Sequence, residues 1–184
     1  MKKIVTACVS VLVIAAFALA LWFVISKRSL PLDHRENVER WAAEYGVPRE
    51  LVFAVIKTES RFDPNALSNV GAVGLMQLLP STADEIARKL GITEYDLYDA
   101  DTNVRLGTYY LSYLFRNTGS SWKNAVAAYN CGIGRVKLWL ADKSYSSGGR
   151  ELDVIPIDET RRYVDQVLGD SERYAKILEK PEGP

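Results

Sequence analysis

The stretch LVFAVIKTESRFDP, residues 51–64, puts a carboxylate where a helix should bury an apolar side chain. Val52, Val55 and Ile56 recur at i, i+3 and i+4, and the i+7 position of the same stripe is Glu59. A carboxyl on a buried face loses the hydration of its charged form, which raises its pKa. Asp63 and Pro64 resist helical continuation, so Glu59 falls in the last turn, where the negative end of the helix dipole pushes in the same direction. A carboxyl kept protonated near neutral pH can act as a general acid. The competing reading is an ion pair with Arg61 or another cation.

Two further stretches set polar groups into apolar surroundings. In SNVGAVGLMQLLPSTA, Gln77 interrupts an apolar run and must find hydrogen-bond partners there, while Gly71 and Gly74 permit special backbone angles or close approach. In AAYNCGIG, Tyr129 and Asn130 end an apolar helix, with Gly132 and Gly134 behind them. A flat ring beside donors and acceptors suits a sugar. Taken singly, each piece fits equally a turn, a capped helix end or a core tyrosine.

Other chemistries have little to work with. A single histidine and two distant cysteines, Cys8 and Cys131, offer neither a metal-ligand cluster nor a disulfide framework, so no cofactor is expected. Lys plus Arg and Asp plus Glu both number 23, which gives no electrostatic reason to expect nucleic acid.

The elements that must position these residues read as helix after helix. HRENVERWAAEYG carries Val38, Trp41, Ala42 and Tyr45 on one face and stops at Gly46; VPRELVFAVIKTES has Pro48 in its first turn. STADEIARKLG is expected to open on a Ser81 or Thr82 cap and close at Gly91. NVRLGTYYLSYLFRNTG has Leu106, Tyr110, Tyr113 and Leu114 in helical register, and SWKNAVAAYNCG and GRVKLWLAD are shorter. DETRRYVDQVLGDSERYAKILEK predicts a long last helix capped by Asp158, with a break at Gly169. Residues 144–156, SYSSGGRELDVIP, are the expected flexible segment, and no alternating run argues for a sheet.

Ahead of this domain, residues 4–25 are uncharged and apolar. As a helix they would extend roughly 33 Å, close to a bilayer core of about 30 Å. Trp22 and Phe23 suit an interfacial belt. A cleaved signal peptide is the rival, with ALA at 18–20 as its site, but the apolar run continues past it. The reading is an uncleaved single-pass anchor over 1–28, a linker over 29–35 and a catalytic domain over 36–180. Lysines flank one side of the span and Lys27, Arg28 and Arg35 the other, so charge does not orient it.

The blocks ESRFDPNALS…GAVGLMQLLPSTA, AAYNCG and IPIDETRRYV, in this order, resemble the soluble-type (SLT) lytic transglycosylases, glycoside hydrolase family 23 of the lysozyme-like superfamily. The resemblance covers roughly Val38 to Leu168. It implies a mainly α, lysozyme-like domain with a long glycan cleft. By position, Glu59 corresponds to the family's catalytic acid. Ser68, Gln77, Tyr129 and Asn130 stand where the family lines its cleft, and Glu159 and Tyr163 where its C-terminal segment returns to the site. Leu79 replaces a frequent Met, and Cys131 a common Ala. The implied reaction cleaves the MurNAc–GlcNAc β-1,4 bond of peptidoglycan without water. Glu59 would protonate the leaving oxygen, then deprotonate the muramyl 6-hydroxyl, leaving a 1,6-anhydromuramyl end. Most glycosidases use two carboxylates; Asp63, just before Pro64, is read as holding a turn instead. Because the polymer lies outside the membrane, the domain is placed on the extracytoplasmic side. The alternatives are a water-using muramidase and an inert glycan-binding module of a cell-wall synthesis or secretion complex. A desolvated acid argues against the inert module.

Overall fold

A computed structural model describes residues 30–179 and Phe17. The chain divides into Met1–Pro31 and Leu32–Pro184. Apart from Phe17, the anchor expected over 4–25 lies outside the described residues, as does the start of the linker. No described helix is long and apolar enough to cross a membrane.

Seven helices fill the second unit among the described residues: α1 (Arg35–Tyr45), α2 (Arg49–Glu59), α3 (Pro80–Leu90), α4 (Ala100–Asn117), α5 (Trp122–Cys131), α6 (Ile133–Ala141) and α7 (Asp158–Leu178). Sheet is limited there to two isolated antiparallel bridges, Leu67 with Val73 and Val73 with Leu78, in the segment between α2 and α3.

The hub is α2. Every side chain from Leu51 to Ile56 is buried, so the helix is enclosed on all faces rather than on one stripe. Burying Leu51, Val52, Phe53, Val55 and Ile56 stabilises this placement by roughly 10 kcal/mol, at about 1.5–3 kcal/mol for each large apolar side chain. That exceeds the cost of desolvating one carboxyl at the helix end. Pro48 directs the chain into α2 at extended ψ, and the first turn forms on its carbonyl.

Helix α7 runs antiparallel to α2. Arg49 donates to the Leu178 carbonyl at 3.1 Å, Phe53 stacks on Tyr174 at 5.3 Å, and Lys57 pairs with Asp170 at 2.6 Å. At the far end the Tyr163 hydroxyl meets Glu59. Helix α1 is tied to α4 by Trp41 on Asp101 and by Ser112 on the Tyr45 carbonyl. Helix α3 closes over α4 through Leu78, Ala83, Ile86, Ala87 and Leu106. Helix α5 packs against both α4 and α7.

Several boundaries differ from the sequence reading for local reasons. Helix α3 starts at Pro80 with no side-chain cap, because a proline at the first position supplies helical φ and has no N–H to satisfy. Helix α4 starts at Ala100, where the Asp99 carboxylate caps the Thr102 N–H at 2.8 Å. Asp158 is the first residue of α7 rather than its cap and accepts from Arg161 instead. Gly169 does not break α7: Val164, Val167, Asp170 and Tyr174 are buried on both sides of it, so packing outweighs the glycine's weak helix propensity.

The 144–156 segment is irregular but anchored. Leu152 and Ile155 are buried, the Leu152 N–H donates to Asn124 Oδ1 at 3.0 Å, and Lys123 donates to the Leu152 carbonyl at 2.6 Å. The serines and glycines set its composition, and its two buried aliphatic residues set its fate.

Candidate active site

Glu59 is the last residue of α2. Beyond it, Arg61 and Phe62 both adopt left-handed backbone, with φ of 55° and 67°. For side-chain-bearing residues this conformation costs of order 1–3 kcal/mol each and persists only where the surroundings impose it. Phe62 is buried against Phe53, and that contact holds the turn. The Asp63 carboxylate accepts the Asn65 N–H at 2.9 Å, so Asp63 is exposed and occupied in a turn, as its place before Pro64 suggested.

The partner of Glu59 is a phenol rather than a cation. Tyr163 Oη donates to Glu59 Oε1 at 2.5 Å. Burial pushes the Glu59 pKa up to about 7, and the Tyr163 hydrogen bond works against that rise. The hydroxyls of Tyr163 and Tyr129 are themselves pushed well above the usual phenol range, first by burial and then by the Glu59 charge. Both phenols therefore stay protonated as donors. Tyr163 occupies one carboxyl oxygen and leaves the other for a substrate. A half-protonated acid near pH 7 with one free oxygen can give a proton and take one back.

Opposite this acid runs the segment Leu75–Gln77, held from three elements. Ser60, next to Glu59, donates its hydroxyl to the Leu75 carbonyl at 2.8 Å. Asn103 of α4, fully buried, accepts the Met76 N–H at 2.8 Å and donates to the carbonyls of Val73 and Leu97 at 2.9 and 2.8 Å. Tyr129 of α5 donates to the Met76 carbonyl at 2.7 Å. Gly74 must be glycine: its φ is +76°, and a Cβ would stand 2.3 Å from Asn103 Nδ2 and 2.5 Å from the Leu97 oxygen. Gly107 lets Met76 lie flat on α4, since a Cβ there would meet the Met76 Sδ at 2.4 Å.

So braced, Gln77 takes φ 48° and donates Nε2 to the carbonyls of Ala66 and Gly74 at 3.1 and 3.0 Å. The hydrogen-bond partners its position demanded are these two carbonyls, which leaves the amide oxygen for another donor.

Over residues 36–150, the family model described as "Transglycosylase SLT domain" matches the chain. The chain belongs to the SLT transglycosylase domain family. It is 35% identical over 177 residues to the "Soluble lytic murein transglycosylase" of Escherichia coli (strain K12), covering 91% of this chain and 27% of the relative. It is 32% identical over 166 residues to the "Membrane-bound lytic murein transglycosylase C" of Edwardsiella ictaluri, covering 77% and 46%. Among solved structures, an inactive mutant of lytic transglycosylase Slt from Pseudomonas aeruginosa superposes with a TM-score of 0.74 at 40% identity, over 83% of this chain and 25% of that one. The chain thus spans about a quarter to a half of the length of these relatives. The helical fold expected from the sequence is the one these SLT proteins share.

The structure brings Glu59, Tyr163, Tyr129 and Gln77 to one place, and Ser68 and Asn130 each make a hydrogen bond of their own within the fold. Ser68 closes the 68–72 turn, its hydroxyl accepting the Ala72 N–H at 2.9 Å. Asn130 is exposed and accepts from the Thr160 hydroxyl at 2.8 Å, pinning the start of α7 beneath the site. Glu159 is exposed and makes no hydrogen bond or ion pair among the described residues. Cys131 is half-buried and free, and burial pushes its thiol up, away from the reactive thiolate. Ser60 and Asn103 went unnoticed in the sequence. Asn103 carries the same mark as Glu59, a polar residue on an apolar stripe, since Leu106, Tyr110 and Leu114 follow it at helical spacing.

Proposed function

We propose that this chain is a peptidoglycan lytic transglycosylase that cleaves the MurNAc–GlcNAc β-1,4 bond and leaves 1,6-anhydromuramyl ends. The observation that carries the reading is Glu59: a desolvated carboxyl with a pKa of about 7 and one oxygen held by the Tyr163 hydroxyl. A hydrolase of the usual kind places its second carboxyl across the scissile bond, as nucleophile or as base for water. Here Asp63 is engaged in a turn and Glu159 faces solvent.

In the proposed sequence, protonated Glu59 gives its proton to the glycosidic oxygen as the C1–O bond breaks. The N-acetyl group of the muramyl sugar shares the positive charge at C1. The Glu59 carboxylate then takes the proton of the same sugar's 6-hydroxyl, whose oxygen bonds to C1. Atoms balance without water, and Glu59 ends protonated. An internal nucleophile has a large effective concentration over a bimolecular one. Gln77 would offer its amide oxygen to the sugar's N–H or hydroxyl groups. The relatives named for lytic murein transglycosylase activity support this choice of substrate and reaction.

The apolar run over 4–25 supports the further reading of an uncleaved anchor, with residues 29–184 outside the membrane where the polymer lies. Glycan turnover in ¹⁸O-labelled water tests the chemistry. The expected products are unlabelled anhydro ends; labelled reducing ends would make the domain a muramidase.

A further inference from the structure

Glu59 of α2 meets α7 at Tyr163, and two turns further along α7 the same helix makes a second polar contact with it. Lys57 donates to Asp170 Oδ2 at 2.6 Å, with 12% and 7% of the two side chains exposed. The partly exposed Arg173 donates to the other Asp170 oxygen at 2.7 Å. An ion pair buried to this degree is a poor source of stability. Each charge gives up its hydration, and a well-packed apolar pair of similar volume is often as stable or more so. What the pair does supply is direction, because it forms at one register of the two helices and is lost at the next.

That register bears on the acid. Asp170 and Tyr163 lie on one face of α7, about 10 Å apart along its axis. Lys57 and Glu59 leave α2 on nearly opposite sides, about 3 Å apart along its axis. The two contacts therefore hold α7 at two points along its length and from both sides of α2. The stack of Phe53 on Tyr174, further along, is a contact between ring faces and tolerates sliding. A slip of one turn, about 5.4 Å, would carry the Tyr163 hydroxyl out of reach of Glu59. Besides Lys57, the charged and titratable groups around Asp170 are Arg173 and Tyr174 of α7, with Asp33 ahead of α1 acting on Tyr174. Those around Glu59 are Tyr163 of α7 and Tyr129 of α5.

We propose that the Lys57–Asp170 pair is a positioning device for catalysis, fixing the register of α7 on α2 and thereby holding the Tyr163 hydroxyl on Glu59. Lys57 and Asp170 act through Tyr163 rather than on the substrate. The proposal rests on the reading of Glu59 as the acid of glycan cleavage and adds the residues that keep its phenol partner in place.

The test reads the Glu59 pKa directly, by titrating its carboxyl carbon in the ¹³C-labelled full-length chain. Tyr163→Phe removes the hydrogen bond and sets the ceiling, a rise of about one unit or more on the scale of a charged hydrogen bond. Lys57→Met keeps the length of the side chain. Combining it with Asp170→Asn also removes the buried charge that Lys57→Met alone leaves to Arg173, which guards against loss of the fold. Both variants are expected to raise the Glu59 pKa by at least about half a unit. In a Tyr163→Phe background the same substitutions should leave the pKa where Tyr163→Phe alone puts it, since a coupling through Tyr163 vanishes with its hydroxyl. In glycan turnover kcat should fall with KM little changed. An unmoved or lowered Glu59 pKa in the folded variants would overturn the proposal. So would a rise that persists in the Tyr163→Phe background, which would assign Lys57 a direct charge effect on Glu59. The titration needs no substrate, so failure of the glycan-cleaving reading shows separately, as absence of anhydro ends from wild-type digestion.

Discussion

Replacing Glu59 with glutamine should stop catalysis and make the domain more stable at pH 8. The free carboxyl of an unfolded chain has a pKa of 4.5, and in the fold it is about 7. Between those values the native state binds more protons than the unfolded state, so unfolding free energy falls as pH rises. The penalty is absent below pH 4.5, grows through the window and is complete above about pH 7. The 2.5-unit difference, at 1.36 kcal/mol per unit, amounts to roughly 3 kcal/mol. Glutamine carries no charge to desolvate, and its amide oxygen can still accept from Tyr163. Because 1 kcal/mol shifts a domain of this size by about 2–4 °C, Glu59→Gln should raise Tm by several degrees at pH 8 and by almost nothing at pH 4.5. Thermal melts of parent and variant at the two pH values measure the difference directly, and glycan turnover should fall by at least about 10²-fold. An offset that is equal at both pH values, or a variant less stable than the parent at pH 8, would refute the account of Glu59 as an acid kept at a cost to stability.

The same proton should govern the rate: activity requires protonated Glu59 at the start and should fall as pH rises through about 7. Tyr163→Phe removes the hydrogen bond that lowers the Glu59 pKa. The falling limb of its pH–rate profile should therefore move to higher pH while kcat drops, and a lower kcat with an unmoved limb would leave Tyr163 a merely structural role. Tyr129→Phe strips the donor from the Met76 carbonyl, and a loss of about 1–3 kcal/mol is expected in denaturant titration, together with lower activity. Unchanged stability would mean that the hydroxyl serves the substrate alone. Asn103→Ala leaves the Met76 N–H and the Leu97 carbonyl without their partner, while the Val73 carbonyl keeps the Leu78 N–H, and should cost about 2 kcal/mol or more, with faster amide exchange at Met76 than at α7 core positions.

What the sequence determined by itself was the order of helices and the place of the acid. Both are local properties. Apolar periodicity, Gly46 and Gly91 as left-handed stops and the Asp63–Pro64 turn need no distant partner to be read. Glu59 showed itself because a carboxylate on an apolar stripe has no inexpensive explanation, and Asn103 could have been found in the same way. Tertiary structure decided what each remaining polar residue does. Tyr129 and Tyr163 are both tyrosines in helices, yet one is turned to a backbone carbonyl and the other to the acid, because α5 and α7 approach from different sides. Asn130 and Ser68, read as cleft residues, each accept one hydrogen bond within the fold, from the Thr160 hydroxyl and the Ala72 N–H. The serine- and glycine-rich 144–156 segment is fixed by Asn124 and Lys123 of α5, which no local pattern connects to it. The physical reason is common to these cases: a hydrogen-bonding group is committed by whichever complementary group folding places within about 3 Å of it. For residues tens of positions apart, only the packing of the helices sets that distance.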